Sequence, residues 1–279
     1  MQKVRPILIA DRFAALQERL LSLLDELAAA DWDRRVPGSR WEVRDVVAHL
    51  LDTDLRRLSF QRDGHPVPRA DFEIAGDGDL VRFLDLLNEE WTRAARRLSP
   101  RLLKELTALA AAQAIELYRG LDPFAAAIFP VAWAGETASL NWFDVAREYT
   151  EKWLHQQQIR EATGRTGLTG REFLHPVLDT FLRALPHAYR DVAAETGTAV
   201  TVLVEGEAGG RWSVLRGEAG WELFAGAPGR PHATVRLDQD VAWRLFSTRR
   251  RKPDLARGAV IEGDRGLGAA ALELVAVMA

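Results

Sequence analysis

Glu151 and His155 stand four residues apart in the stretch Glu148-Tyr149-Thr150-Glu151-Lys152-Trp153-Leu154-His155. A helix is predicted from about Asn141 to Ala162, and side chains four apart on a helix can converge on one ion. At 3.6 residues per turn, Asp144, Glu148, Glu151 and His155 fall within an arc of roughly 60°. Three carboxylates and one imidazole therefore share a stripe. A carboxylate with a neutral imidazole is ordinary ligation for zinc and the metals near it. The same stripe also reads as a solvated acidic face with an incidental His, because charged side chains usually face water. Trp142, Val145, Ala146, Tyr149 and Trp153 form the apolar side of this helix.

Composition limits the chemistry. The 279 residues include no Cys. That excludes disulfides, thiolate ligands and a protein thiol nucleophile. A metal must be held by His, Asp or Glu, and any sulfur chemistry must bring its thiol from outside. A formal net charge of −3 gives no electrostatic case for nucleic acid. The opening MQKVRPILIADRF has too short an apolar run for a signal peptide, and nothing approaches the ~20 apolar residues of a membrane span. The expectation is a cytoplasmic protein, monomer or homodimer, acting on a small molecule, with no membrane or nucleic-acid partner.

The length suits two modest domains. Leu16, Leu20, Leu23, Leu24 and Leu27 recur at helical spacing and predict a first helix over about 9 to 30. Pro37-Gly38 breaks the chain, and Ser39 with Glu42 reads as a capping box for a second helix over about 40 to 62. His49 lies at the edge of that helix's apolar face. An edge His can point into a crevice between helices or be hydrogen-bonded at the boundary. His65 falls in a long connection and reads as exposed. A third helix is predicted over about 79 to 98, and the segment 101–118 is helical by composition. Three long amphipathic helices plus the 141–162 helix suggest a four-helix bundle, a fold that builds metal sites from facing helices. The expected divisions are a helical bundle over 1–163, a Gly- and Thr-rich linker over 164–170, and an α+β domain over 171–279. The last has one helix to about Ala194, interrupted at Pro186, and then an antiparallel meander of short strands starting near 199, 211, 221 and 233. Asp238 or Asp240 opens a helix, and a final helix runs over about 266 to 277.

Two segments carry a resemblance. Trp41-Glu42-Val43-Arg44-Asp45-Val46-Val47-Ala48-His49-Leu50 looks like the first metal-binding segment of a DinB-type bundle. Arg147-Glu148-Tyr149-Thr150-Glu151-Lys152-Trp153-Leu154-His155-Gln156-Gln157-Gln158 resembles the second, a Glu-x-x-x-His pair. Together they resemble the mycothiol-dependent maleylpyruvate isomerase family. Residues 233–237 and 260–264 are similar to the sterol-carrier-like domain that follows such bundles. The resemblance implies His49, Glu151 and His155 as ligands to a divalent metal, most simply zinc. It also implies a low-molecular-weight thiol as cosubstrate. Members of this type isomerise cis alkenes or transfer the thiol to an electrophile. The chain departs from the family pattern at Gln158, where an Asp is often found; an amide there hydrogen-bonds but brings no charge.

Two imidazoles and one carboxylate leave a metal position open, as in catalytic rather than structural zinc sites. Glu148, one turn from Glu151, is a candidate base or an orienting partner for His155, or simply part of the acidic stripe. The same donor set is the facial triad of non-haem iron oxygenases. A third reading is non-catalytic: a metal-stabilised bundle whose second domain binds a lipid-like or other small molecule. Arg211, Arg216, Arg236 and Arg244 are candidate clamps for an acidic substrate, each also readable as a surface charge. Arg249-Arg250-Arg251-Lys252 reads as a solvated basic loop. His175, His187 and His232 lack partner spacing and read as structural or exposed.

Overall fold

A computed structural model describes residues 1–248 and 252–276 of the chain. They form a helical unit, residues 9–128 and 151–167, and a sheet unit, residues 1–8, 129–150 and 168 onward. The fold class is the expected one, helical in its N-terminal region and α+β after it.

In the helical unit, α1 (Phe13–Asp25) buries Phe13, Leu16, Leu20, Leu23 and Leu24. The chain then reverses at Gly38, whose positive φ of 74° suits glycine. Arg35 pairs with Glu42 as an isolated antiparallel bridge. This pairing keeps Glu42 extended, so the second helix starts later than its composition predicts. Ser39 Oγ accepts from the Trp41 N–H (3.1 Å), not from Glu42. Helix α2 spans Val43–Arg56, and the Glu42 N–H donates to Asp45 Oδ2 at 3.0 Å. Its expected continuation to residue 62 is a wider π turn, Arg57–Arg62. Helix α3 is Asp77–Ala95. The 101–118 segment is a full 21-residue helix, α4 (Pro100–Gly120), capped by Ser99 Oγ. Helix α5, Asn141–Thr163, carries the stripe.

Helix α4 packs against α1 and α2, and α3 lies along α2. From α5, the Gln156 side-chain N–H donates to the Leu16 carbonyl of α1 at 3.1 Å. Leu20, Leu24, Val43, Val47, Leu51 and Ile159 join one buried core. At about 25 cal/mol per Å² of apolar surface removed from water, such a core holds the bundle together. Among the described residues, no helix is long and apolar enough to cross a membrane.

The sheet unit is built on α6 (Arg171–Phe181), the short α7 (Leu185–Ala188, with Pro186 in its first turn) and six strands. These are β1 (Gln2–Lys3), β2 (Ala199–Glu205), β3 (Gly210–Arg216), β4 (Trp221–Ala225), β5 (Ala233–Asp238) and β6 (Val260–Gly263). Their order is β1-β4-β3-β2-β5-β6. The predicted meander holds for β2, β3 and β4, with Thr201 opposite Ser213. Strand β5 departs from it, running parallel to β2 with Thr201 beside Thr234. The 226–232 connection, with Pro228-Gly229, is a crossover rather than a hairpin turn. Asp238 Oδ1 caps α8 (Gln239–Phe246), and α9 (Lys252–Ala256) and α10 (Arg265–Leu272) complete the unit. Residues 249–251 of the basic run and 277–279 of the last predicted helix lie outside the described residues.

Gly263 ends β6 at φ 81°, and a Cβ there would sit 2.3 Å from the His232 carbonyl oxygen. Backbone, not a flexible side chain, is in the way. Gly263→Ala is expected to cost roughly 2 kcal/mol, read as a lower urea midpoint. An unchanged midpoint would show that the β5–β6 edge yields.

Candidate metal centre

Two helices bring three donors together. His49 comes from the middle of α2, whose Val43, Val46, Val47 and Leu50 are no more than 1% exposed. Its turn is anchored by the Trp91 indole N–H, which donates to the Ala48 carbonyl at 2.8 Å. Glu151 and His155 come from consecutive turns of α5. The Nε2 atoms of His49 and His155 each lie 2.9 Å from the same oxygen, Glu151 Oε1. The imidazoles meet edge-on, with centroids 4.7 Å apart. One ligand-competent atom from each residue lies within 4.8 Å of the other two.

Burial is graded across the group. The His49 and His155 side chains are 7% and 12% exposed, and Glu151 is 32% exposed. Glu151 is thus the most solvent-exposed of the three. On the imidazole side lies Trp41, its ring 5.0 Å from His49 and 6.0 Å from His155, centroid to centroid. The bridge between Arg35 and Glu42 holds it there.

Electrostatics prepare the donors unequally. Burial alone would raise the Glu151 carboxyl, but the charge and hydrogen bonds of His155 and His49 outweigh it and hold it well below the usual carboxylate range. Burial lowers the pKa of His49 by more than Glu151 restores. For His155 the balance is reversed: burial lowers it, Glu151 more than compensates, and its pKa lies above the ordinary value. The set is an ionised carboxylate, a neutral imidazole and a readily protonated one. Two imidazoles and a carboxylate without thiolate suit zinc and its borderline neighbours.

The rest of the stripe is not solvated. Asp144 is fully buried and bound by Arg147, and Glu148 is buried and paired with the same guanidinium at 3.1 Å. Lys152 is buried too, its Nζ 2.7 Å from Asp54 Oδ1. Glu148 is not one of the three converging donors. Gln158, expected only as a departure from a motif, accepts from His155 Nδ1 at 2.8 Å. The Lys152–Asp54 pair was missed as part of this neighbourhood, whereas Trp41 and Gln158 entered the sequence reading only as members of the two resembling segments. Gln158 had a visible signal, its i, i+3 spacing from His155; Asp54 had none.

The remaining candidates have other partners. Arg236 pairs with Glu205 at 2.6 Å, and Arg244 pairs with Asp240 at 3.1 Å and stacks over Trp243. Arg211 is exposed and Arg216 half-buried. His175 Nδ1 donates to the Ala208 carbonyl, and His232 Nδ1 accepts from the Ala199 N–H. His65 is exposed. Lys252 donates to the Leu272 and Leu274 carbonyls, its pKa lowered to about 8 by burial.

Comparison with known proteins gives a consistent picture. A family profile described as "Mycothiol maleylpyruvate isomerase N-terminal domain" matches residues 13–160, more than half of the chain, and spans all three donors. The crystal structure of the mycothiol-dependent maleylpyruvate isomerase superposes with a TM-score of 0.57 at 12% identity, covering 94% of this chain and 96% of that one. A mutant of that enzyme with a histidine replaced by alanine gives the same values. At this identity the likeness shows the fold. A ubiquinone synthesis protein, UbiJ-SCP2, aligns with 36% of this chain at 23% identity, with a TM-score of 0.24 that supports no argument. No curated protein sequence matches significantly.

Proposed function

Because this chain belongs to the mycothiol maleylpyruvate isomerase family, a family of enzymes, we propose that it is a divalent-metal-dependent enzyme using a low-molecular-weight thiol. Its reaction is cis–trans isomerisation of an unsaturated small molecule, or transfer of the thiol to an electrophilic one. The observation that carries this reading is the convergence of two Nε2 atoms on one Glu151 oxygen. A chain without Cys has no thiol of its own to offer.

When bound, a divalent cation, most simply zinc, would lower the pKa of a thiol at its open position. His49, Glu151 and His155 would hold it. His49 is neutral and ready to ligate without losing a proton. Glu151 stays ionised and contributes one negative charge, which leaves a divalent centre net positive and attractive to an anionic sulfur. Trp41 keeps water from the imidazole side, and the more exposed Glu151 side admits thiol and substrate. Glu148 enters as the partner of Arg147. In isomerisation, thiolate sulfur adds to one carbon of a conjugated cis double bond and the electron pair moves onto the carbonyl. The new single bond rotates, and elimination returns the thiolate and the trans alkene. Atoms and electrons balance without an oxidant. Transfer stops at the adduct or displaces a leaving group.

The test is elemental analysis of the purified protein, followed by chelation and metal add-back across a panel of small thiols and electrophiles. About one divalent metal per chain and turnover needing both metal and thiol are expected. Turnover without thiol, or no metal bound in titration, would overturn the proposal; iron with oxygen-dependent turnover would replace it with the oxygenase reading.

A further inference from the structure

The two imidazoles differ on the side facing away from Glu151. His155 Nδ1 lies 2.8 Å from Gln158 Oε1. His49 Nδ1 is buried and has no hydrogen-bond partner. A neutral imidazole carries one N–H, and the partner of one nitrogen decides which nitrogen keeps a lone pair. A carbonyl oxygen at Nδ1 requires the proton there and leaves Nε2 free to ligate. The reverse amide orientation would donate to Nδ1, place the proton on Nε2 and block ligation.

We infer that Gln158 is a positioning residue for this centre: its side-chain carbonyl fixes the tautomer and ring orientation of His155, while the Nδ1 side of His49 is held by packing. The inference rests on the metal reading proposed above. Three features support it. Gln158 is one turn after His155 on the same rigid helix, so the pair needs no loop to stay in register. It is half-buried, which limits competition by water for the Nδ1–H. It is also neutral, so it orients the ring without adding a second negative charge beside Glu151. His49 gets its orientation from a different source, between Trp41 and a core helix whose neighbouring residues are fully buried. On the Nδ1 side the centre is therefore asymmetric, with one ligand hydrogen-bonded and the other packed.

The experiment measures zinc affinity of the full chain by competition with a chromophoric chelator, with the visible spectrum of the cobalt(II) form as a second readout. Gln158→Leu removes the acceptor at similar volume, and Gln158→Glu keeps it. Gln158→Leu is expected to weaken zinc binding about 10- to 100-fold and to change the cobalt spectrum, with the metal-free melt unchanged. Gln158→Glu should restore both readouts. Should Gln158→Leu lower the metal-free melt, Gln158→Met takes its place with the same expectations. Wild-type affinity in the acceptor-less variant, or no rescue by Glu, overturns the inference. Failure of the underlying metal reading looks different: wild-type protein would then bind no zinc, and His155→Ala would change nothing.

Discussion

His49→Ala is expected to strip the divalent metal and lower thiol-dependent turnover on the order of 10³-fold while the helical unit stays folded. The size follows from what a bound metal contributes to such a step, several kcal/mol, at about 1.4 kcal/mol per tenfold. Persistence of the fold follows from the site. The His49 ring hydrogen-bonds to Glu151 through Nε2, and its Nδ1 has no partner, so truncation orphans no backbone group. The core of α2 is made by Val43, Val46, Val47, Leu50 and Leu51, which remain. A thermal melt beside a zinc titration decides the matter. Collapse of the melt would favour a structural metal, as in bundles that fold only around one.

The same titration has a pH signature. His155 has its pKa raised, net of burial, by Glu151, so it is the ligand that must release a proton on metal binding. His49, lowered by burial, and Glu151, held low by its two imidazole partners, are already deprotonated near neutral pH. Metal affinity should therefore fall as pH drops through the His155 range, with proton release on metal binding coming chiefly from His155. Calorimetry in buffers of different ionisation enthalpy counts that proton; a count near two would mean that His49 is protonated as well.

Much of this site was legible because a helix repeats. Once residues 141–163 are helical, Glu151 and His155 must share a face, and the apolar spacing of α2 puts His49 at the edge of that helix's apolar face. The state of the stripe was not legible. Hydropathy counts Asp144, Glu148 and Lys152 as outward-facing, yet all three are buried, because Arg147 and Asp54 neutralise them. Pairing between distant residues leaves no periodic mark, and the acid Asp54 lies almost a hundred positions before its lysine. Strand direction was hidden for a related reason. The alternation of β5 is the same whether it pairs parallel or antiparallel, and only the length of the 226–232 connection hinted at the crossover. The two-residue β1 is too short to have any pattern. The Ser39 box failed because a bridge between Arg35 and Glu42 competed for the same residues.

The buried pair behind the stripe is where the largest effect on stability is expected. Asp54 and Lys152 have side chains 1% and 9% exposed, with Nζ and Oδ1 2.7 Å apart. Asp54→Ala leaves an ammonium without its carboxylate in a setting that excludes water. Breaking a buried ion pair from one side costs about 3–5 kcal/mol, a large part of the 5–15 kcal/mol that keeps a typical domain folded. Lys152→Met should also be destabilising, because it takes the ammonium from beside a buried carboxylate. The double variant, Asp54→Leu with Lys152→Met, should recover most of the loss, because apolar residues of similar volume remove the desolvation cost along with the attraction. Urea melts followed by tryptophan emission give the three values and, from the cycle, the coupling between the two sites. Losses below about 1 kcal/mol would mean that the pair behaves as a solvated surface bridge. Lys152 adjoins Glu151 in sequence but points to a different partner, so the double variant should also keep its zinc affinity. If zinc binding were lost along with the pair, Lys152 would be placing Glu151, and the stability of α5 and the geometry of the metal site would be one property rather than two.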